Sequence, residues 1–176
     1  MRHAGFTFME VLAVVALLAV LSGGVMWAMA GDVSRASKQD AIQKLTHADR
    51  TARLAASRLG SEFTLRIDLD RQRMWREPRT DANHPRSTPV TLTSGYRIDR
   101  VVLPDAEHEN GRVSIPVSTE GRSVTYAVRL DPPAESMDAT DTPAEPVWLV
   151  IAGLTGEVTR GHDDDEIDNL FNALGG

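Results

Sequence analysis

Between Glu10 and Asp32 the chain carries no charged side chain, and most of what lies between them is Val, Leu, Ala or Met. At ~1.5 Å per residue a helix over 11–30 is ~30 Å long, which is the thickness of a bilayer's hydrocarbon core. A run of this length and composition is a membrane helix or an export signal, not a helix of a soluble core. We read 6–30 as a single transmembrane helix. Glu10 is the anomaly: a carboxylate at the leading edge of an apolar span is costly to bury unless something pairs with it.

A secretory signal has a basic start, an uninterrupted apolar run of ~7–15 residues and a small-residue cleavage site. Here the basic part is only Arg2 and His3, an acid stands where the run begins, and the run is longer. Gly5, then Phe6, then Glu10 five places after the glycine resembles the processing motif of type IV pilins and type II secretion pseudopilins. The resemblance implies that a prepilin peptidase removes 1–5 as a leader, cutting between Gly5 and Phe6, and that Phe6 becomes an N-methylated terminus. Phe8 and Met9 depart mildly from it, since aliphatic residues are more usual there. Cleavage creates a cationic amine on Phe6 at the membrane boundary. Glu10 of a neighbouring subunit can neutralise that amine and so fix the axial register between subunits. The plainer alternative is that Glu10 snorkels at the end of an ordinary anchor. A competing reading rests on Ala28-Met29-Ala30, a small-x-small triplet where signal peptidase could cut and release a secreted soluble binding domain.

From Asp32 the helical pattern continues into a polar context. Ala36, Ile42, Leu45, Ala48, Ala52, Ala55 and Leu59 form one stripe, with Lys38, Asp40, Lys44, Asp49, Arg50, Arg53 and Arg58 mostly off it. The segment 31–60 therefore reads as an amphipathic continuation of the same helix, capped by Gly60. Gly23-Gly24 marks either a bend in the span or a site of close helix packing. After Gly60 the period changes to two: Phe63, Leu65, Ile67 and Leu69 alternate with polar residues, as in a half-buried strand. A tight turn at Asp70-Arg71 leads to a second strand over 72–76 and a polar loop over 77–88. Further strands are expected at 89–93, 96–103, 112–117, 123–130, 147–151 and 157–160. The proline- and acid-rich 131–146 reads as a mobile insertion. A long N-terminal helix packed on an antiparallel sheet or sandwich, connected as a meander over 61–176, is an α+β fold.

Chemistry is hard to find in this chain. A formal charge of -6 makes nucleic acid a poor partner, and the absence of cysteine excludes disulfides and thiolate metal sites. His3, His47, His84, His108 and His162 have no second histidine at metal-ligand spacing. No nucleophile elbow, phosphate loop or dinucleotide motif occurs, so neither an enzyme, a small-molecule substrate nor a cofactor is expected. The acidic run Asp163, Asp164, Asp165, Glu166 and Asp168 admits two readings. It could supply calcium ligands, or it could cap a last helix over 166–174 whose Ile167, Leu170, Phe171 and Leu174 form an apolar face. The cap is the reading we adopt.

Thr119-Glu120-Gly121 before a strand, and Leu154-Thr155-Gly156-Glu157-Val158 near the end, resemble the late β-region of H-type minor pseudopilins and their FimT-like pilus relatives. That resemblance implies a structural subunit near the tip of a type II secretion pseudopilus. It also implies a single-pass anchor in the inner (cytoplasmic) membrane, a domain on the periplasmic side, and other pilin or pseudopilin subunits and a prepilin peptidase as partners. A minor pilin of a type IV pilus or DNA-uptake apparatus is the neighbouring alternative.

Overall fold

The computed structural model describes residues 8–79, 86–92, 95–133, 144–161, 163, 166, 167, 169 and 171; the side chains of 10 and 21–34 are outside that description. Helix α1 runs from Phe8 to Leu59 without a break, Gly23-Gly24 included, and ends where Gly60 takes a left-handed φ of 58°. Among the described residues nine strands follow: β1 (Phe63–Asp68), β2 (Arg73–Pro78), β3 (Val90–Thr91), β4 (Arg97–Leu103), β5 (Ala106–His108), β6 (Arg112–Val117), β7 (Tyr126–Asp131), β8 (Val147–Ile151) and β9 (Val158–Gly161). Two compact units emerge, one comprising Met1–Ala36 with Glu135–Ala144 and the other Ser37–Ala134 with Glu145–Gly176. The second holds all nine strands.

All pairings within this second unit are antiparallel, but they do not form the expected meander. One sheet has the order β3-β2-β1-β6 and the other β5-β4-β7-β8-β9. The chain leaves the first sheet after β3, builds β4 and β5 in the second, and returns to place β6 beside β1. Ala41, Ile42, Leu45, Ala48, Ala52, Ala55 and Ala56 of α1 share one core with Phe63, Leu65, Ile67 and Met74 of the first sheet. Tyr126, Val128, Leu130, Leu149 and Ile151 of the second sheet complete that core. The helix is thus the element that both sheets close upon. Five of its seven core residues are alanines, and small side chains let a helix backbone come close to a sheet.

Strand alternation then builds a second layer. In β7 and β8, Val128, Leu149 and Ile151 meet the main core, while Ala127, Trp148 and Val150 turn to the opposite face and pack with Ile167. Glu166, Ile167, Asn169 and Phe171 are helical, and the Glu166 N–H donates to Asp163 Oδ1 at 2.7 Å. That is the N-cap arrangement expected of the acidic run.

Three expectations need correction. Strand β1 is not half-buried: Thr64 and Asp68 on its polar face are buried as well, because β2 and β6 flank it and long side chains roof it. Arg66 reaches Glu77 and Ser114 over that face. Gln72 is not in a strand but in the turn, at a positive φ of 53°. Its amide mimics a strand neighbour, donating to the carbonyls of Leu69 (2.6 Å) and Ile98 (2.8 Å) and accepting from Ile98 N–H (2.6 Å). It thereby ties the first sheet to the second beside an irregularity between Ile98 and Arg100. Finally, β5 stands where only loop was expected, so His108 is a strand residue, while Glu77 and Pro78 extend β2. The expected mobile insertion lies largely outside the described residues.

Candidate functional site

Two parts of α1 carry the features that bear on function. In the first, Phe8, Met9, Val11, Leu12, Val14, Val15, Leu17, Leu18 and Val20 are all exposed, with Phe8 at 79%. An apolar helix with no polar face is stable only when lipid or other protein surrounds it. Of the processing residues, Gly5 and Phe6 lie outside the described residues; Glu10 is within the helix, its side chain undescribed. No helix of the described residues is long and apolar enough to cross a membrane, and the described side chains of the apolar stretch end at Val20.

In the second part, Asp49 and Arg53 are buried, at 2% and 8% exposure, although the sequence pattern set them off the apolar stripe. One turn of helix separates them, which brings Arg53 Nε to 2.7 Å from Asp49 Oδ2. The rest of the guanidinium is spent on two turns of the sheet domain. Nη1 donates to the carbonyls of Gly153 (2.7 Å) and Gly121 (3.2 Å), and Nη2 donates to Ser123 Oγ (2.7 Å) and the Ala152 carbonyl (3.4 Å). All five N–H groups of the fork find acceptors, the condition for burying a guanidinium without a large penalty. Asp49 accepts a second bond at Oδ1, from the buried Tyr126 hydroxyl at 2.9 Å. Burial, and then the Asp49 carboxylate beside it, push the Tyr126 hydroxyl well above its ordinary pKa.

The glycine at 153 is a requirement of this arrangement. A Cβ there would stand 2.3 Å from the Ser123 carbonyl oxygen and 2.7 Å from Thr125 N, both backbone atoms that cannot step aside. The Ser123 N–H donates to the Gly153 carbonyl at 2.9 Å, so the two turns are also bonded to each other. Thr119-Glu120-Gly121 and Leu154–Val158 therefore belong to the turns that Arg53 ties together. Sequence reasoning noticed those turns and missed the arginine. The available signal was position: 48, 49, 52, 53 and 56 form one contiguous band on a helix, so a charged pair at 49 and 53 inside it had to be internal.

A second carboxylate is buried in β1. Asp68 accepts from Arg71 N–H at Oδ1 (2.9 Å) and from Arg112 Nε at Oδ2 (3.0 Å). Burial alone raises its pKa, but the Arg112 bond, the Arg71 amide and the two positive charges outweigh it and hold the carboxyl below the ordinary value.

Asp163 is engaged as a helix cap, Glu166 is exposed, and Asp164 and Asp165 are outside the described residues. Among the described residues no three acidic or histidine side chains converge to hold a metal.

Comparison with known proteins adds a family model and a likeness to solved structures. Residues 1–26 match the model of the prokaryotic N-terminal methylation motif, so the chain carries that motif. No curated protein matches the chain. Among solved structures it is similar to the minor pseudopilin EpsH from the Type 2 Secretion System of Vibrio cholerae. That structure has 17% identity and a TM-score of 0.49, covering 73% of this chain and 99% of that one. A crystal structure of the minor pseudopilin EPSH from the type II secretion system of Vibrio cholerae gives 14% identity, a TM-score of 0.45 and coverage of 74% and 97%.

Proposed function

We propose that the chain is a minor pseudopilin, a structural subunit of a type II secretion pseudopilus and not an enzyme. What carries the reading is a single juxtaposition: the methylation motif over 1–26 opens the same unbroken helix, Phe8–Leu59, whose far part is built into the sheet domain. A processed, apolar helix end and a folded domain on one rod are what a filament subunit needs. The first supplies packing inside an assembly, the second a surface outside it. On this reading 6–30 is the inner-membrane anchor, the domain lies on the periplasmic side, and other pilin-like subunits and a prepilin peptidase are the partners. Phe6 is the methylated terminus, and Glu10 neutralises the Phe6 amine of an adjacent subunit.

N-terminal sequencing of the mature protein tests processing. The expected product begins at methylated Phe6, and Gly5→Val leaves the precursor uncut; a product beginning at Gly31 would replace this reading with a secreted domain. Assembly is tested by Glu10→Gln, which keeps shape and removes charge. Removing one member of a buried pair costs ~3–5 kcal/mol, so cross-linking to other pilin-like subunits should fall while cleavage and protein level hold. Unchanged assembly would reduce Glu10 to a snorkelling anchor residue.

A further inference from the structure

Beside the main core lies a groove of about 640 Å³, in which one face of α1 meets the free edges of both sheets. Val90 of β3 and Val158 and Arg160 of β9 form one side; Gln39, Gln43, His47 and Arg50 are among the helix residues on the other. Among the described residues β3 and β9 are the terminal strands of their sheets, so the groove is where the two described ladders stop. In β9 the backbone direction can be assigned. Glu157 C=O accepts from Ala152 N–H at 2.9 Å, so residue 157 faces β8; antiparallel alternation then turns the N–H and C=O groups of Val158 and Arg160 away from β8, toward the open edge. Among the described residues these groups have no backbone partner. An edge of this kind is a template for one more strand.

The groove also selects by charge. Among the described residues, Lys44, Arg50 and Arg160 line it against a single carboxylate, Asp40, which pairs with Lys44 at 2.7 Å. Arg50 and Arg160 are exposed, and Arg160 is steered over the groove by Gln39, whose Oε1 accepts from Nη2 at 3.4 Å. This basic lining stands on a chain whose formal charge is -6, so it is a local feature and not the general character of the surface. Val90 and Val158 add an apolar strip between the charges.

We propose that this groove binds an extended, carboxylate-bearing peptide segment of another protein, which adds as a strand to β9 and sets its acidic side chains against Arg50 and Arg160. The Val158 and Arg160 backbone groups supply the ladder, Val90 and Val158 take an alternate apolar side chain, and the arginines set sign and register. This assignment does not rest on the pseudopilin reading, and it holds or fails whichever filament, if any, the chain joins.

The test uses the full chain in detergent micelles with a short synthetic peptide of alternating glutamate and valine. The expected result is saturable binding that weakens with salt, with new hydrogen-exchange protection at the Val158 and Arg160 amides. Arg160→Glu, an exposed substitution, should weaken it by about tenfold or more. The same peptide with lysine for glutamate should not bind, and neither should one N-methylated at the amides that would face β9. Equal binding of the N-methylated peptide would reduce the site to charge adsorption and overturn strand addition. Equal binding of the lysine peptide, or no binding of any peptide, would also overturn the proposal. Self-association of the chain without peptide, abolished by Arg160→Glu, would assign the groove to a second copy instead.

Discussion

Two stretches of α1 are equally helical and opposite in everything else. From Phe8 to Val20 the side chains are large, apolar and exposed, from 48% at Val11 to 79% at Phe8. From Ala41 to Ala56 the inward side chains are mostly alanine and are buried to 8% exposure or less. Bulky side chains this exposed call for a surrounding medium, lipid or other protein. Small ones mark a surface already matched to a sheet. The second stretch also holds charges, Asp49 and Arg53, where the first stretch admits only Glu10 at its entrance. Close approach explains the difference. A helix brought near two sheets by alanines traps whatever else lies in the same band, and a trapped charge survives only if every donor and acceptor is met.

The largest expected effect comes from breaking that pair. Arg53→Ala leaves Asp49 buried beside Tyr126 without its cation, leaves the Gly121 carbonyl without its Arg53 donor, and takes one of two donors from the carbonyls of Ala152 and Gly153. Removing one partner of a buried pair costs ~3–5 kcal/mol, a large share of a domain's stability. Urea unfolding should register it in a chain beginning at Asp32, which should itself fold with a mixed helix and strand circular dichroism spectrum. A loss below ~1 kcal/mol would mean that the node is exposed to water in solution.

A smaller effect should come from the turn that receives the guanidinium. Gly153→Ala places a methyl against Ser123 and Thr125 backbone, and overpacking of this kind typically costs ~1–3 kcal/mol. Its coupling to Arg53→Ala should be strongly non-additive, because both changes release the same two turns. Simple additivity would separate the turns from the helix.

Stability should also depend on pH at both extremes, in opposite senses. Tyr126 has a folded pKa raised above its ordinary 10.0, so its contribution is complete below that value and is lost as pH rises from there through the raised folded pKa. Asp68 is held below its ordinary 3.8, so its contribution is present above that value and lost as pH falls below it. Tyr126→Phe should flatten the alkaline limb of the unfolding midpoint and Asp68→Asn the acid limb. An alkaline limb that persists in Tyr126→Phe would place the titrating group elsewhere.

Periodicity made the helix, its glycine stop and the strands β6 and β8 legible, because each of those is decided by residues near in sequence. The chain path between the sheets was not legible in that way. Pairing β1 with β6 brings Phe63 opposite Val117, and nothing local to either strand announces the partner. Strand β5 was missed because Ala106–His108 is too short and polar to show a period. Asp49 and Arg53 are hidden for a different reason: charge suggests solvent, whereas their spacing within the alanine band carries the better information. The methylation motif was the opposite case, legible from Gly5, Phe6 and Glu10 because processing acts on a local string of residues and not on a fold.

The smallest expected effect tests the comparison from the other stretch of the helix. Leu17→Ala and Leu45→Ala delete the same atoms from the same helix, 62% and 2% exposed respectively. At Leu45 the change removes burial and opens a cavity between helix and sheets, which typically costs ~2–5 kcal/mol. At Leu17 nothing in the described structure covers the side chain, and an exposed substitution stays within about ±0.5 kcal/mol. Unfolding of the full chain in detergent, followed by near-ultraviolet signals of the sheet domain, should therefore separate the two variants cleanly. On the pseudopilin reading proposed above, Leu17→Ala should be felt only where Phe8–Val20 finds its surroundings, as weaker cross-linking to other pilin-like subunits at unchanged protein level. If Leu17→Ala destabilised the sheet domain as Leu45→Ala does, the two stretches would be one packed unit, and the division of the helix into an assembling part and a folding part would be wrong.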